Sequence, residues 1–398
     1  MGWNFVCELA VRYDVWVITE EEKFRDEIEK ELRKQSSTAN SVNFYFVPKV
    51  RGRRLRKLWP PSYYWFYRRW HKKAYQLALQ LHQQVHFDLV HQLNMVGFRE
   101  PGYMWKLPPP FVWGPVGGMM QLPWRYFGML GWRGMLFYGS RNVINAMQQR
   151  FCHRCRKAAK RAAHGLVAAT SEIQAKMLAY WQAPSVVLSE IGSDFSSSEG
   201  AAVTRREGEP LRVAWAGMHI PRKALPLLLE AMARLDVGVE VQLDVLGDGA
   251  ETGRWKALAE KRNISHLVNW HGWVSRADAI KTMGQSHVFV ITSLLDLTST
   301  VTLEALSMGV PVICLDHCGI GEVVTDQCGI KLPVTTPEST IDDMANALGR
   351  LYHDEAMRQR LSVGAINRAG DFTWSEKGVV LDRVYHSAIE HHKEGLTK

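Results

Sequence analysis

The chain has 398 residues, 46% of them hydrophobic and 22% charged, proportions of a globular α/β protein that exclude a disordered or fibrous one. That length accommodates two domains, each with its own core. The formal net charge of +9 sits in the first half: residues 1–200 hold 28 Lys and Arg against 15 Asp and Glu, residues 201–398 hold 21 against 25, so the halves are expected to meet different partners.

No run of about 18 apolar residues is present, and the best stretch, Tyr126 to Gly139, is broken by Arg133. The first residues run straight into Glu8, Arg12 and Asp14, unlike a signal peptide, so a cytoplasmic location is expected. The six cysteines are scattered apart from Cys152 and Cys155, a C-H-R-C pair. Zinc needs a second pair or histidines at ligand spacing, and none is evident; no metal site and reduced thiols are the expectation.

In the first half the residues predict a helix over Trp3 to Arg12 and strands at Val15–Thr19, Asn43–Val47, Leu89–His91, Phe111–Trp113 and Gly165–Ala169. A doubly wound domain ordinarily opens with a strand and a glycine-rich turn before its first helix. This sequence starts at the helix, so the domain is expected to lack its first strand, which an upstream extension of the reading frame would supply. Arg51, Arg53, Arg54, Arg56 and Lys57 precede Trp59 and the Tyr63–Tyr67 aromatics, and Arg68, Arg69, Lys72 and Lys73 follow. A second basic run includes Arg150, Arg154, Arg156, Lys157, Lys160 and Arg161. Cations among aromatics suit an anionic membrane surface or glycan; the alternative is a helix with aromatics in the core and cations in water. No recognition motif supports nucleic acid.

A polar, aperiodic stretch near residue 200 reads as a linker. The expected division is residues 1–195, a linker at 196–210, a second domain at 211–375, and a final helix at 376–398. Beyond the linker, strands at Leu211–Ala216, Val241–Leu246, Leu267–Trp270, His287–Thr292 and Val310–Leu315 alternate with helices at Leu225–Leu235, Glu251–Arg262, Ala277–Met283 and Val301–Met308. Such alternation means βα units, a parallel sheet, and ligands at the carboxyl ends of its strands.

Two loops at that edge carry the chemistry. After the strand ending at Thr292-Ser293, a loop containing Asp296, Thr298, Ser299 and Thr300 leads into a helix opening with Val301. A helix N-terminus there is an anion site suited to a diphosphate. The three hydroxyls can donate to it or cap the helix. Glu304, one turn in, can accept from a vicinal diol such as ribose. Read alone, this unit is more simply a helix capped by Thr300 with Glu304 as a surface charge. The other loop, Gly217-Met218-His219-Ile220-Pro221-Arg222-Lys223, adds two cations at the same edge: Lys223 as a point charge for phosphate, Arg222 as a fork.

Asp296, seven residues, then Glu304, with Gly309-Val310-Pro311-Val312 after them, resembles the E-x7-E segment of family 4 glycosyltransferases. Gly217 with Lys223, Gly247-Asp248-Gly249, His271-Gly272-Trp273-Val274 and Gly319 to Val324 extend the resemblance over most of residues 211–375. It implies an α/β GT-B fold, two doubly wound Rossmann-like domains facing across a cleft, with the tail through Phe372-Thr373-Trp374 and Tyr385 returning to the N-terminal domain. It implies a retaining, metal-independent transfer from a UDP- or GDP-linked sugar to a glycan or lipid-linked acceptor, in surface polysaccharide or glycolipid synthesis, with no cofactor. Lys223 would hold the donor phosphates, the amides of Thr300 and Val301 the diphosphate, Glu304 the ribose and Asp296 the transferred sugar; the backbone near Val274 would read the base, and Gly217 and Gly247 would let the donor approach.

Three departures stand beside the resemblance. Asp296 is shorter than the usual Glu. Met218 stands where the family often has Arg, for which Arg222 can compensate. The N-terminal loop histidine has no assigned counterpart; Trp113-Gly114-Pro115-Val116-Gly117-Gly118 marks a W-G-P-V-G-G branch, leaving Gly117, Gly118 and the strand-end His91 as acceptor-side candidates. A nucleotide-sugar epimerase and a binding protein that keeps the nucleotide site without turnover are the competing readings.

Overall fold

The computed structural model describes residues 2–34, 42–49, 62–93, 97–193 and 203–397. The basic residues Arg51 to Lys57, Trp59 and the first part of the expected linker, residues 196–202, lie outside them. The chain forms two compact units, one from Met1–Met119, Gln148–Glu190 and Trp374–Lys398, the other from Met120–Met147 and Ile191–Thr373. The expected division puts residues 120–147 in the N-terminal domain; their contacts group them with residues 191–373.

In the first unit, strands β1 (Val15–Glu20) and β2 (Val42–Val47) form a parallel pair. Strands β3 (Val90–Gln92), β4 (Phe111–Val116), β5 (Leu166–Ala168) and β6 (Val186–Val187) form a separate parallel sheet in that order. The strands of this unit thus form two ladders among the described residues. Every residue of β4 is buried, as a parallel strand covered on both faces requires. The Gly2–Ala10 helix buries Phe5 and Leu9 in a cluster with Trp374, Leu381 and Val384 of the Trp374–Thr397 helix and with Val112 and Val167 of the sheet. At the start of the His153–Arg161 helix, Cys152 and Cys155 are joined as a disulfide, correcting the expectation of reduced thiols. The C-x-x-C spacing brings their Cα atoms to 5.4 Å, within disulfide reach.

The second unit holds a six-stranded parallel sheet. Its strands are β7 (Leu211–Ala216), β8 (Val241–Leu246), β9 (Val268–Gly272), β10 (Val288–Ile291), β11 (Val312–Leu315) and β12 (Gly329–Leu332), in the order β12-β11-β10-β7-β8-β9. The order reverses direction between β7 and β10, which pair through Val213↔Val288 and Ala214↔Phe289. A doubly wound sheet opens a crevice at such a switch point, outside the carboxyl ends of the two strands. Strands β10 and β11 are wholly buried, and Leu303, Ala305 and Leu306 of the Thr300–Ser307 helix pack into the same core.

Residues 120–147 lie against this unit through directed bonds. The buried Tyr126 hydroxyl is 2.6 Å from Thr340 Oγ1, and Arg254 donates to the Met129 carbonyl at 2.8 Å. Within the segment, Asn142 donates to Leu122 O (2.7 Å) and accepts from Leu122 N (3.1 Å), and Asn145 donates to Met120 O (3.1 Å). Buried amides satisfied in this way fix the loop on the Gly131–Phe151 helix.

Candidate functional site

The loops leaving β7 and β10 are bolted together at the switch point. Trp215 Nε1 donates to Thr292 Oγ1 at 3.0 Å, Thr292 donates to the Lys223 carbonyl at 2.6 Å, and Leu294 N donates to the Arg222 carbonyl at 2.8 Å. This scaffold aims both cations at one acid. Lys223 Nζ lies 2.5 Å from Asp296 Oδ2, and Arg222 Nη1 lies 3.3 Å from Asp296 Oδ1 while donating to the Leu295 carbonyl at 2.5 Å. Two positive charges on one carboxylate leave a net positive site, so an arriving phosphate competes with Asp296 for them.

Next to this cluster the Thr300–Ser307 helix begins, with Ser299 as N-cap. Ser299 makes no side-chain cap bond, and the first-turn amides of Thr300 and Val301 have no intrahelical acceptor. Thr298 and Ser299 are buried and Thr300 is exposed. Glu304, on the same helix, is nearly buried. Arg276 holds its Oε1 through Nε at 2.9 Å and Nη2 at 2.7 Å, so both contacts fall on one carboxylate oxygen. Val274 packs against the core, and the next residue, Ser275, caps the Arg276–Gly284 helix by accepting from Asp278 N at 3.1 Å.

The glycines of the neighbouring loops are there for space. Gly247 has φ +125, and a Cβ on it would stand 2.0 Å from the Gly217 carbonyl oxygen. His219 links the two loops: its amide donates to Asp248 O (2.9 Å), its carbonyl accepts from Glu251 N (3.0 Å), and its Nδ1 is 2.7 Å from Thr252 Oγ1. The ring is enclosed by Trp215, Trp255 and Trp270, and this burial pushes its pKa down. The Tyr138 hydroxyl accepts from the backbone N–H of Arg222.

The second unit thus brings together Gly217, Arg222, Lys223, Gly247, Val274, Asp296, Thr298, Ser299, Thr300, Val301 and Glu304. The acceptor-side candidates belong to the first unit, where they have structural work. His91 Nδ1 is 2.7 Å from the Tyr385 hydroxyl and Nε2 is 2.8 Å from the Gly114 carbonyl, so both ring nitrogens are engaged. Burial pushes its pKa down to about 4, keeping it neutral. The Gly117 carbonyl accepts from Phe98 N at 3.1 Å, and a Cβ on Gly118 would meet Gly97 Cα at 3.3 Å. Arg276, His219 and Tyr138 are participants that sequence reasoning missed. His219 lay within a quoted loop, whereas Arg276 and Tyr138 carry no local signal.

Residues 201–368 match the family of glycosyl transferases group 1. That segment belongs to the family. It contains every residue of the assembled site except Tyr138. The chain is also 30% identical over 209 residues to a D-inositol 3-phosphate glycosyltransferase of Stackebrandtia nassauensis, covering 49% of this chain and 46% of that protein. It therefore spans about half the length of the curated relatives it matches. Across nearly the whole chain the fold is similar to that of the lipopolysaccharide outer core galactosyltransferase WaaB, with TM-score 0.55, 14% identity, and coverage of 95% of this chain and 98% of that one. The Anabaena protein HepE, solved in complex with UDP, is similar at TM-score 0.57 and 14% identity over 99% of this chain and 96% of that one. The group 1 domain sits in a GT-B fold of two α/β units built on parallel sheets.

Proposed function

We propose that this chain is a retaining glycosyltransferase that moves a sugar from a UDP- or GDP-linked donor to a glycan or lipid-linked acceptor, in the synthesis of a surface polysaccharide or glycolipid. The observation that carries the reading is the convergence of Lys223 and Arg222 on Asp296 beside the N-terminus of the Thr300–Ser307 helix. As the anomeric carbon–oxygen bond breaks, charge grows on the departing diphosphate. Two cations and a set of first-turn amides, already oriented, stabilise that charge more than they stabilise the bound donor. The acceptor oxygen bonds to the same face of the sugar, and its proton passes to the departing phosphate oxygen.

In this reading Lys223 and Arg222 draw away from Asp296 onto phosphate, which frees the Asp296 carboxylate for a hydroxyl of the transferred sugar. Glu304 Oε2 takes the ribose hydroxyls, and the backbone at Val274 meets the base. Thr298, Ser299, Thr300 and Val301 line the diphosphate, and Gly217 and Gly247 leave it room. That HepE holds UDP and that WaaB is a lipopolysaccharide galactosyltransferase support a nucleotide donor and a surface glycan. The first unit takes the acceptor side, with the backbone of Gly117 and Gly118 as its contact, at the cytoplasmic face of an anionic membrane.

The test is release of nucleoside diphosphate from a panel of UDP- and GDP-sugars, with and without lipid extracts as acceptor. Consumption of one donor, stimulated by acceptor, supports the reading. Tight UDP or GDP binding with no release from any donor would leave a binding protein instead.

A further inference from the structure

The Gly131–Phe151 helix is amphipathic the wrong way round for a packed helix. Its buried face carries Gly134, Tyr138, Asn142 and Asn145, at spacings of four, four and three. That face is held by the amide bonds to Met120 and Leu122 described above. The opposite face, at spacings of four, seven and four, is apolar and bare: Trp132 is 69% exposed, Leu136 68%, Val143 52% and Met147 56%. Trp124, also exposed, extends it, because Gly139 leaves space for the stacked rings of Trp124 and Phe127 against the helix. Large exposed apolar side chains scattered singly need no explanation; a contiguous stripe with two tryptophans marks an interaction surface.

Charge decides the partner. Between Glu100 and Glu172 the chain has no Asp or Glu at all, while residues 101–171 hold 10 Lys and Arg. Arg133 places its guanidinium 5.1 Å from the Trp132 ring centroid, at the rim of the stripe. A second copy of the chain would bring the same excess of positive charge against itself. An anionic lipid surface supplies what both parts need: acyl chains for the stripe and headgroup phosphates for the arginines, with tryptophan at the boundary. No described helix is long and apolar enough to cross a membrane, which fits a helix lying in the interface.

We infer that the outward face of the 131–147 helix segment, carrying Trp132, Leu136, Val143 and Met147, docks the chain on an anionic lipid bilayer. This deepens the reading of an acceptor met at a membrane and rests on it for its purpose, but its test uses no turnover. The full chain is sedimented with vesicles of phosphatidylcholine alone and of phosphatidylcholine with phosphatidylglycerol, at low and high salt. Wild type is expected to bind the anionic vesicles, more weakly at high salt.

The variant Leu136→Ser with Met147→Ser changes only exposed positions and is expected to lose about tenfold or more in vesicle partitioning. Arg133→Gln is expected to lose a smaller, salt-sensitive part. Nucleoside diphosphate thermal shifts of the variants report the fold and the donor site separately, so loss of docking and failure of the transferase reading are distinguishable. Absence of wild-type binding to anionic vesicles overturns the inference, and so does undiminished binding by the double serine variant. A vesicle-free dimer that the double variant abolishes would also overturn it, in favour of a self-association face.

Discussion

Lys223 Nζ and Asp296 Oδ2 lie 2.5 Å apart, bridging the loops that leave β7 and β10 at the point where the sheet reverses its order. A contact between residues 73 apart in sequence makes the two loops one device. Under the proposed function it also means that the phosphates of a donor must compete with a carboxylate for their cation. Lys223→Ala is expected to lower kcat/KM for the donor by about 100-fold or more, the cost of removing one oriented charge from a developing anion. Lys223→Arg should recover only part, since a planar fork does not reproduce a point charge. Steady-state kinetics on both variants check this; unchanged kcat/KM in Lys223→Ala would remove Lys223 from the reaction.

Arg276 is the least foreseeable member of the site. It reaches Glu304 from 28 positions away and holds one carboxylate oxygen with two of its nitrogens. Arg276→Ala is expected to weaken nucleotide binding by about tenfold, the worth of one charge-assisted bond. The loss should vanish for a 2′,3′-dideoxy nucleoside diphosphate, which has no diol for Glu304 to accept from. Titration calorimetry with both ligands checks it, and an equal loss for both would show that Arg276 acts on something other than Glu304.

Gly247 stands where the two glycine loops nearly touch. With φ +125 and the Gly217 oxygen 2.0 Å from any Cβ, Gly247→Ala demands that the backbone move. The expected cost is more than about 1 kcal/mol of stability together with impaired nucleotide binding. Melting temperature and nucleotide affinity are the measurements; a variant with wild-type values in both would show that the loops separate freely.

Acid sensitivity follows from neutral, enclosed histidines. Burial holds His71, His91 and His287 down to about 4, against an ordinary value of 6.5. Between those values the unfolded chain binds more protons than the folded one. Stability is therefore fully present above about pH 6.5 and is lost progressively as pH falls toward 4. His91→Phe leaves the Tyr385 hydroxyl and the Gly114 carbonyl without their partner, so it should cost about 1–3 kcal/mol at pH 7 while reducing the acid dependence. Denaturant midpoints at pH 7, 6 and 5 check both parts; an unaltered pH slope in His91→Phe would assign the sensitivity elsewhere.

Much of the second unit was legible because its strands are short apolar runs bounded by loops, and β7 and β8 have the bounds their residues predict. The two loops of the candidate site are contiguous segments, Gly217 to Lys223 and Asp296 to Glu304, so the residues that meet at the switch point could be named from the sequence. The β12 strand escaped because Gly329–Leu332 opens on glycine and carries Lys331, so it lacks the continuous apolar run of the equally short β10 and β11. Residues 120–147 escaped because their helix inverts the usual signal, burying Asn142 and Asn145 and exposing Trp132 and Leu136. Periodicity reads a hydrophobic face as an inward face, and here the inward face is made of satisfied amides. The disulfide of Cys152 and Cys155 was hidden by the same locality, since a C-x-x-C spacing serves a metal, a redox pair or neither until its surroundings are known.

The most direct test of the central claim is the thermal shift of the full chain with UDP, GDP, ADP and CDP, measured on wild type and on Glu304→Ala. One nucleotide at 100 times its dissociation constant is predicted to stabilise wild type by about 2.7 kcal/mol and to shift Glu304→Ala far less at the same concentration. No shift of wild type with any of the four, or an undiminished shift in Glu304→Ala, would contradict a donor site built on the β7 and β10 loops.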